Sequence, residues 1–389
     1  MQTELNTFFF FFSPLISEEE IQEVVDTLKS GWITVGPKTK AFQTEFKNYL
    51  GCRYAIAVNS CTAGLHLGLL AAGIREGDEV ITSTNTFAAT SEVILHTRAK
   101  PVFVDIDNKT LNIDTNNIEA SITKKTKAIV PVHFGGHPCE MDQIIEIADR
   151  YNLFIMEDAA HALGASYKNK KIGTIGDVTS FSFYATKNLT TGEGGMITTN
   201  QKKLAAKMEL QSMHGINNNA WKRYSSEGTW YYEVVYPGFK YNMSDINAAI
   251  GLIQLKKFDT YQNLRKKYAS IYNEEFKNLS AIEIPTSADH VDHAWHLYVI
   301  KLNLDVLTIN RDKFIRELFN RNIGASVHFI PMHLHPYYKI TYGDQNGKFP
   351  VAEDIYRRVI SIPLYQKMNL QDLDKVISSV KSIIKKYKR

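Results

Sequence analysis

Apolar positions recur with two different periods along this chain. At its start, Ser17-Glu18-Glu19-Glu20 has the spacing of a capping box. Ile21, Val24, Val25 and Leu28 follow at helical intervals until Gly31 ends the pattern, which predicts a helix between them. Short β-rich runs then appear at Tyr54–Val58, Glu79–Ser83, Pro101–Asp105, Ala128–His133, Phe154–Glu157 and Val178–Phe183. Helical segments such as Glu140–Tyr151 separate most of them. That alternation predicts an α/β protein with a mostly parallel sheet covered on both faces. Met196–Thr199 adds a strand after a glycine-rich turn.

The second half reads differently. From Ser244 to about Ile271 the pattern is helical, with Ile246, Ala249, Ile250, Ile253 and Leu255 as its apolar stripe. A helix of that length suits a connection between two lobes. Beyond it, His296–Leu302 and Ala325–Phe329 read as strands and Arg311–Asn320 as a helix. Leu370, Leu373, Val376, Ile377, Val380, Ile383 and Ile384 mark a last helix, and the cations of Lys385-Lys386-Tyr387-Lys388-Arg389 suit its negative end. The expected division is a large domain over 1–255 and a smaller α/β domain over 256–389.

Composition narrows the function. Of the 389 residues, 45 are Lys or Arg and 41 Asp or Glu, a net charge of +4. No long basic run with interleaved aromatics occurs, so no nucleic-acid partner is expected. Cys52, Cys61 and Cys139 are the only cysteines and none forms a CxxC pair. A disulfide framework and a structural zinc site are therefore not expected, and a reducing, cytoplasmic setting is. Phe8–Phe12 is an unbroken aromatic run, too short to span a bilayer and preceded by Glu4. It reads as an edge segment packed on the body of the protein or on another subunit. No membrane partner is expected.

In open α/β sheets, ligands sit at the carboxyl ends of the strands. After Tyr54–Val58 comes Asn59-Ser60-Cys61-Thr62-Ala63-Gly64, which opens a helix and fits an anion site or a plain cap. After Phe154–Met156 comes Glu157-Asp158-Ala159-Ala160-His161, whose carboxylates suit a ligand cation or the cap of a further helix. After Val178–Phe183 comes a Gly-rich turn containing Lys187, either a surface lysine or a buried amine made nucleophilic by desolvation. Together, an anion cradle, a carboxylate and an activated lysine suit pyridoxal 5′-phosphate.

The chain resembles the DegT/DnrJ/EryC1/StrS family of nucleotide-sugar aminotransferases over nearly its whole length. The resemblance is carried by Ser30–Pro37, Asn59–Ala63, Glu157–His161, Phe181–Leu189 and Gly192–Gly195, and later by Gly238–Met243 and Val327–His333. It implies a fold-type I, aspartate aminotransferase-like architecture and a homodimer with shared active sites. It implies Lys187 as the lysine that bonds pyridoxal 5′-phosphate and shuttles the proton, with Asp158 on the pyridinium nitrogen. His161, where many members carry Gln, falls near the phenolic oxygen, and Phe87 on the ring face. Cys61 (Gly in many members), Thr62 and Ser182 fall at the phosphate, and Asn242 reaches it from the other subunit. Lys187, rather than the histidine of a dehydrating branch, favours transamination.

Among subgroups, the chain is similar to enzymes making UDP-4-amino-4-deoxy-L-arabinose, through His293–Leu297, Asn188–Thr190 and Pro237–Asn242. That implies amination at C4 of a UDP- or dTDP-linked 4-keto sugar, with L-glutamate becoming 2-oxoglutarate. A C3-keto sugar and a non-catalytic binding regulator are the alternatives. His328 and His333 fall toward the sugar or diphosphate, or pack within the small domain. Trp32, Tyr184 and Lys240 line the substrate cleft or serve packing. No metal is expected, because the histidine groups lack accompanying carboxylates or thiolates.

Overall fold

The computed structural model describes residues 8–217 and 231–389. Helix α1 (Glu18–Ser30) starts at the expected capping box, where the Ser17 N–H donates to Glu20 at 2.9 Å, and stops at Gly31 in the left-handed region (φ 78°). Helix α2 (Pro37–Leu50) precedes β1 (Tyr54–Val58), α3 (Cys61–Ala72), β2 (Glu79–Ser83), α4 (Ala88–His96) and β3 (Lys100–Val104). Next come β4 (Thr126–Val130), α5 (Met141–Tyr151), β5 (Phe154–Asp158) and a small hairpin of β6 (Ser166–Tyr167) and β7 (Lys170–Lys171). Strands β8 (Val178–Ser182) and β9 (Gly195–Thr199) and helix α6 (Lys202–Ser212) complete this region.

The main sheet has seven strands in the order β1-β9-β8-β5-β4-β2-β3. Strands β3, β2, β4, β5 and β8 run parallel, and β9 lies antiparallel between β8 and β1. The largely parallel, doubly covered sheet is therefore present, and β1 points the same way as β8. Helix α3 is buried on nearly every side. A Cβ on Gly64 would lie 2.2 Å from the Ser180 hydroxyl, so that glycine lets the helix sit directly on the sheet.

Helix α7 (Asp245–Phe276) ties the chain together. At its start, the Asp245 carboxylate accepts the N–H groups of Gly36, Lys38 and Thr39 at 2.8–3.0 Å and so caps α2. Gln254 donates to the buried Glu20 at 2.8 Å, which fixes the cap of α1. The early part of α7 packs through Leu252 and Phe258 into the core of the main sheet, and its later part through Tyr272 and Phe276 into a second core.

That second core surrounds a three-stranded sheet of β10 (Ile282–Glu283), β12 (Tyr298–Leu302) and β13 (Val359–Ile362). The intervening β11 (Val291–Asp292) pairs with β6 instead. Helices α8 (Arg311–Phe319), α9 (Pro336–Tyr342), α10 (Pro350–Arg358) and α11 (Leu370–Tyr387) accompany it. The strand expected over Ala325–Phe329 is reduced to one bridge between Ser326 and Ser361. Past Ser326 the backbone leaves β13, and His328 and Phe329 line a central cavity. Among the described residues, no helix is long and apolar enough to cross a membrane.

Candidate active site

Strands β1, β2, β5 and β8 deliver their C-terminal ends to one edge of the main sheet. A cavity of about 510 Å³ opens there, lined by Cys61, Thr62, Phe87, Asp158, His161, Ser182, Tyr184, Lys187 and His328. Nine of the expected site residues are thereby brought together.

Ser60 caps α3 by accepting the Ala63 N–H at 3.1 Å. The N–H groups of Cys61 and Thr62 fall in the first turn, which has no preceding helical carbonyl to offer them. They are open to an anion at the positive pole of the helix. A Cβ on Gly195 would lie 2.6 Å from the Ser60 carbonyl carbon and 2.7 Å from the Cys61 nitrogen. Only glycine lets β9 pass so close to this cradle. Burial pushes the Cys61 thiol up, with the Asp158 charge adding to it, so the sulfur stays protonated.

Asp158 closes β5. Its Oδ2 accepts the Thr90 hydroxyl at 2.7 Å and its Oδ1 the Ala160 N–H at 3.1 Å. Its own N–H donates to the Pro131 carbonyl at 2.9 Å. Directly before it in sequence, the buried Glu157 accepts from Gly176 and Thr179, each at 2.7 Å, and meets His133 at 2.9 Å. The carboxylate of Asp158 thus projects from a rigid base into the cavity.

Lys187 sits in the connection from β8 to β9, its N–H donating to the Tyr184 carbonyl at 2.9 Å. Burial lowers its amine to about 8, against the opposite pull of Cys61 and Asp158. The neighbouring Asn188 anchors the connection: its amide donates to Gln262 at 3.1 Å and to the Ala294 carbonyl at 2.8 Å. Gln366 donates to the Asn188 carbonyl at 3.3 Å.

Three histidines stand around the amine. The Gly135 N–H donates to Nδ1 of His161 at 3.2 Å. Burial, then Lys187 and His328, hold the His161 ring far below the usual range, so it is neutral with its proton on Nε2. Burial, then Lys187, lowers His328 to about 4, and its Nδ1 lies 2.8 Å from the Ser361 hydroxyl. His296 packs on His161 with ring centroids 4.3 Å apart. Phe87 is 62% exposed and its ring faces Phe329 at 6.1 Å, so it is a cavity residue and not a core aromatic.

Trp32, Lys240, Asn242 and His333 stand outside the lining of this cavity. Trp32 is exposed. Residues 240–242 run beside the end of β1, where the Asn59 N–H donates to the Tyr241 carbonyl at 2.7 Å. The Oδ1 of Asn242 is buried and has no partner among the described residues. His333 is held behind the cavity by Thr84 (2.7 Å) and Glu353 (3.1 Å). Thr90 and His296 line the cavity although sequence reasoning assigned them no role. Thr90 was detectable in principle, because it lies one helical turn beyond Phe87. Among the described residues, no cluster of three His, Cys, Asp or Glu is placed to hold a metal ion.

The set fits pyridoxal 5′-phosphate on chemical grounds. Free amides at a helix start suit the phosphate, a braced carboxylate suits the ring nitrogen, and a lysine titrating near 8 suits the aldehyde. Comparison with known proteins points the same way. The sequence profile of the DegT/DnrJ/EryC1/StrS aminotransferase family matches residues 14–381. The spore coat polysaccharide biosynthesis protein SpsC of Bacillus subtilis (strain 168) is 50% identical over 386 residues, 99% of both chains. The PMP form of Spr1654 from Streptococcus pneumoniae superposes with a TM-score of 0.90 at 35% identity, covering 97% of this chain and 99% of that one. Helicobacter pylori PseC, an aminotransferase involved in the biosynthesis of pseudoaminic acid, gives a TM-score of 0.90 at 30% identity, covering 98% and 100%.

Proposed function

The chain belongs to the DegT/DnrJ/EryC1/StrS aminotransferase family, and from that premise we propose that it aminates C4 of a nucleotide-linked 4-keto sugar, with L-glutamate as donor. It is a pyridoxal 5′-phosphate-dependent sugar aminotransferase with the α/β fold of that family. Its proposed setting is the cytoplasm, and its proposed product a 4-amino sugar for polysaccharide assembly, in keeping with SpsC being a spore coat polysaccharide biosynthesis protein.

The observation that carries the reading is the buried amine of Lys187, lowered to about 8, in the same cavity as a braced Asp158. Bound there, the cofactor supplies an electron sink beside the carbon that loses or gains a proton. Lys187 would hold the cofactor through its aldehyde and, once freed, would move a proton off the α-carbon of glutamate in one half-reaction and onto C4 of the sugar in the other. One residue serves as base and acid in turn. Asp158 keeps the ring nitrogen protonated. Cys61 and Thr62 offer amides, and Ser182 its hydroxyl, to the phosphate. Phe87 would cover a face of the cofactor ring, and the Nε2–H of His161 would be available to its phenolic oxygen. Tyr184 and His328 border the sugar. We assign Asn242, with Trp32 and Lys240, to the neighbouring active site of a homodimer; the unpartnered Oδ1 of Asn242 supports that assignment.

Borohydride reduction of the yellow holoenzyme, followed by peptide mapping, should place the cofactor on Lys187. Glutamate should discharge the visible absorbance, and a panel of UDP- and dTDP-linked keto sugars should restore it. A tag elsewhere overturns the site. Turnover of C3-keto sugars alone overturns the position of amination.

A further inference from the structure

We propose that the Phe8–Phe12 run completes the substrate side of the active site, with Phe11 and Phe12 setting specificity for the keto sugar; this rests on the aminotransferase reading above. The run is laid onto the smaller sheet's domain as a strap. The Phe9 N–H donates to the Asn322 carbonyl at 2.7 Å, and the Gly324 N–H donates back to Phe9 at 2.8 Å, a parallel bridge around Ile323. Phe8 stacks on Phe319 at 5.6 Å and Phe9 on Tyr365 at 5.7 Å. A Cβ on Gly324 would lie 2.5 Å from the Phe11 nitrogen, so this glycine admits the strap.

Anchored in this way, the strap brings its last two rings to the cavity. Phe11 packs 5.7 Å from His328 and Phe12 5.8 Å from Tyr365, and both line the cavity with Phe329, Ile362 and Leu364. The groups suited to the cofactor come from a different part of the chain, the strand ends of the main sheet. A substrate bonded near Lys187 is held between the two. The apolar wall fits the C–H face of a sugar ring and rejects a hydroxyl turned toward it, which would lose its hydrogen bonds. Glutamate, which carries no ring, has less to gain from that wall.

The test separates the two half-reactions of the holoenzyme by absorbance. Glutamate discharges the visible band, and a UDP- or dTDP-linked 4-keto sugar restores it. In Phe11→Ala/Phe12→Ala, the sugar step should lose about 10- to 100-fold in kcat/KM while the glutamate step stays within about twofold. Gly324→Val, which displaces the strap without touching the cavity, should reproduce that split. Phe10→Ala, which trims an exposed ring of the strap outside the cavity, should behave like the wild type. Equal loss in both half-reactions, or no loss in either, overturns the inference and leaves the enzyme reading intact. A wild-type protein whose band ignores glutamate overturns the reading itself, and the inference with it.

Discussion

The Asn188 side-chain oxygen lies 3.1 Å from Nδ1 of His296. Because the amide nitrogen of Asn188 is spent on Gln262 and Ala294, that oxygen is the acceptor, and His296 carries its proton on Nδ1. Its Nε2 therefore keeps a lone pair, whereas the adjacent His161 keeps a proton at the same atom. The residue after the reactive lysine thus sets the polarity of one ring in the cavity wall. Asn188→Ala should leave His296 and Gln262 unsatisfied and lower the unfolding free energy by about 2 kcal/mol. Urea denaturation measures this. A loosened Lys187 should also cost about tenfold in kcat for both half-reactions. Unaltered kinetics in this variant would remove Asn188 from the positioning of Lys187.

A second prediction concerns the brace on Asp158. Thr90 donates to Asp158 at 2.7 Å, so its contact with Thr86, also 2.7 Å, must run from Thr86 to Thr90. Thr90→Val keeps the shape and breaks this relay at its charged end. A hydrogen bond to a charged group contributes ~1.5–3 kcal/mol, so cofactor affinity should fall at least about tenfold. Thr90→Ser should restore most of it. Equilibrium dialysis against pyridoxal 5′-phosphate gives the answer, and a Val variant that binds as tightly as the wild type would contradict the brace.

What could be read in advance follows physical lines. Buried strands leave short runs rich in β-branched and aromatic residues, so β1, β2, β5 and β8 stood out, and with them the residues at their ends, Asp158 and Lys187. Ala325–Phe329 alternates like a strand, yet only Ser326 pairs, because the residues after it serve a cavity rather than a sheet edge. His328 and His333 belong to one histidine-rich run. Only the first faces the cavity; the second is turned onto Thr84 and Glu353 by contacts hundreds of residues or one helix away. The path of the Phe8–Phe12 strap depends on the room that Gly324 leaves, which no local pattern announces.

Acid should destabilise the protein steeply. Burial lowers His66 and His328 to about 4, and holds His161 and His296 well below the usual range. Each is near 6.5 in the unfolded chain. Between pH 6.5 and 4 the unfolded chain therefore binds protons that the native state refuses, and stability falls as pH falls through that window. Urea midpoints measured from pH 7 to pH 4.5 should drop progressively below pH 6. His328→Gln should flatten the slope by about one proton's worth. A midpoint independent of pH across this range would contradict neutral burial of these rings.

The same linkage acts at Lys187 in a higher pH window, and it distinguishes a desolvated amine from a surface one. Its native value of about 8 lies below that of an ordinary lysine. At pH 7 the neutral fraction is then roughly 300-fold larger than for an exposed lysine, which speeds capture of the aldehyde. Capture by the apoprotein should rise with pH and level off just above 8. Between about 8 and 10.5 the unfolded chain binds the extra proton, so apoprotein stability gains with pH in that window, and the cost of the buried charge is fully present below it. Lys187→Met removes that cost. It should stabilise the apoprotein by about 1–2 kcal/mol at pH 7, after allowance for partial solvent access, and the advantage should shrink by pH 9.5. Paired urea titrations at the two pH values decide the matter. An advantage that did not change with pH would mean that the amine is solvated like any surface lysine.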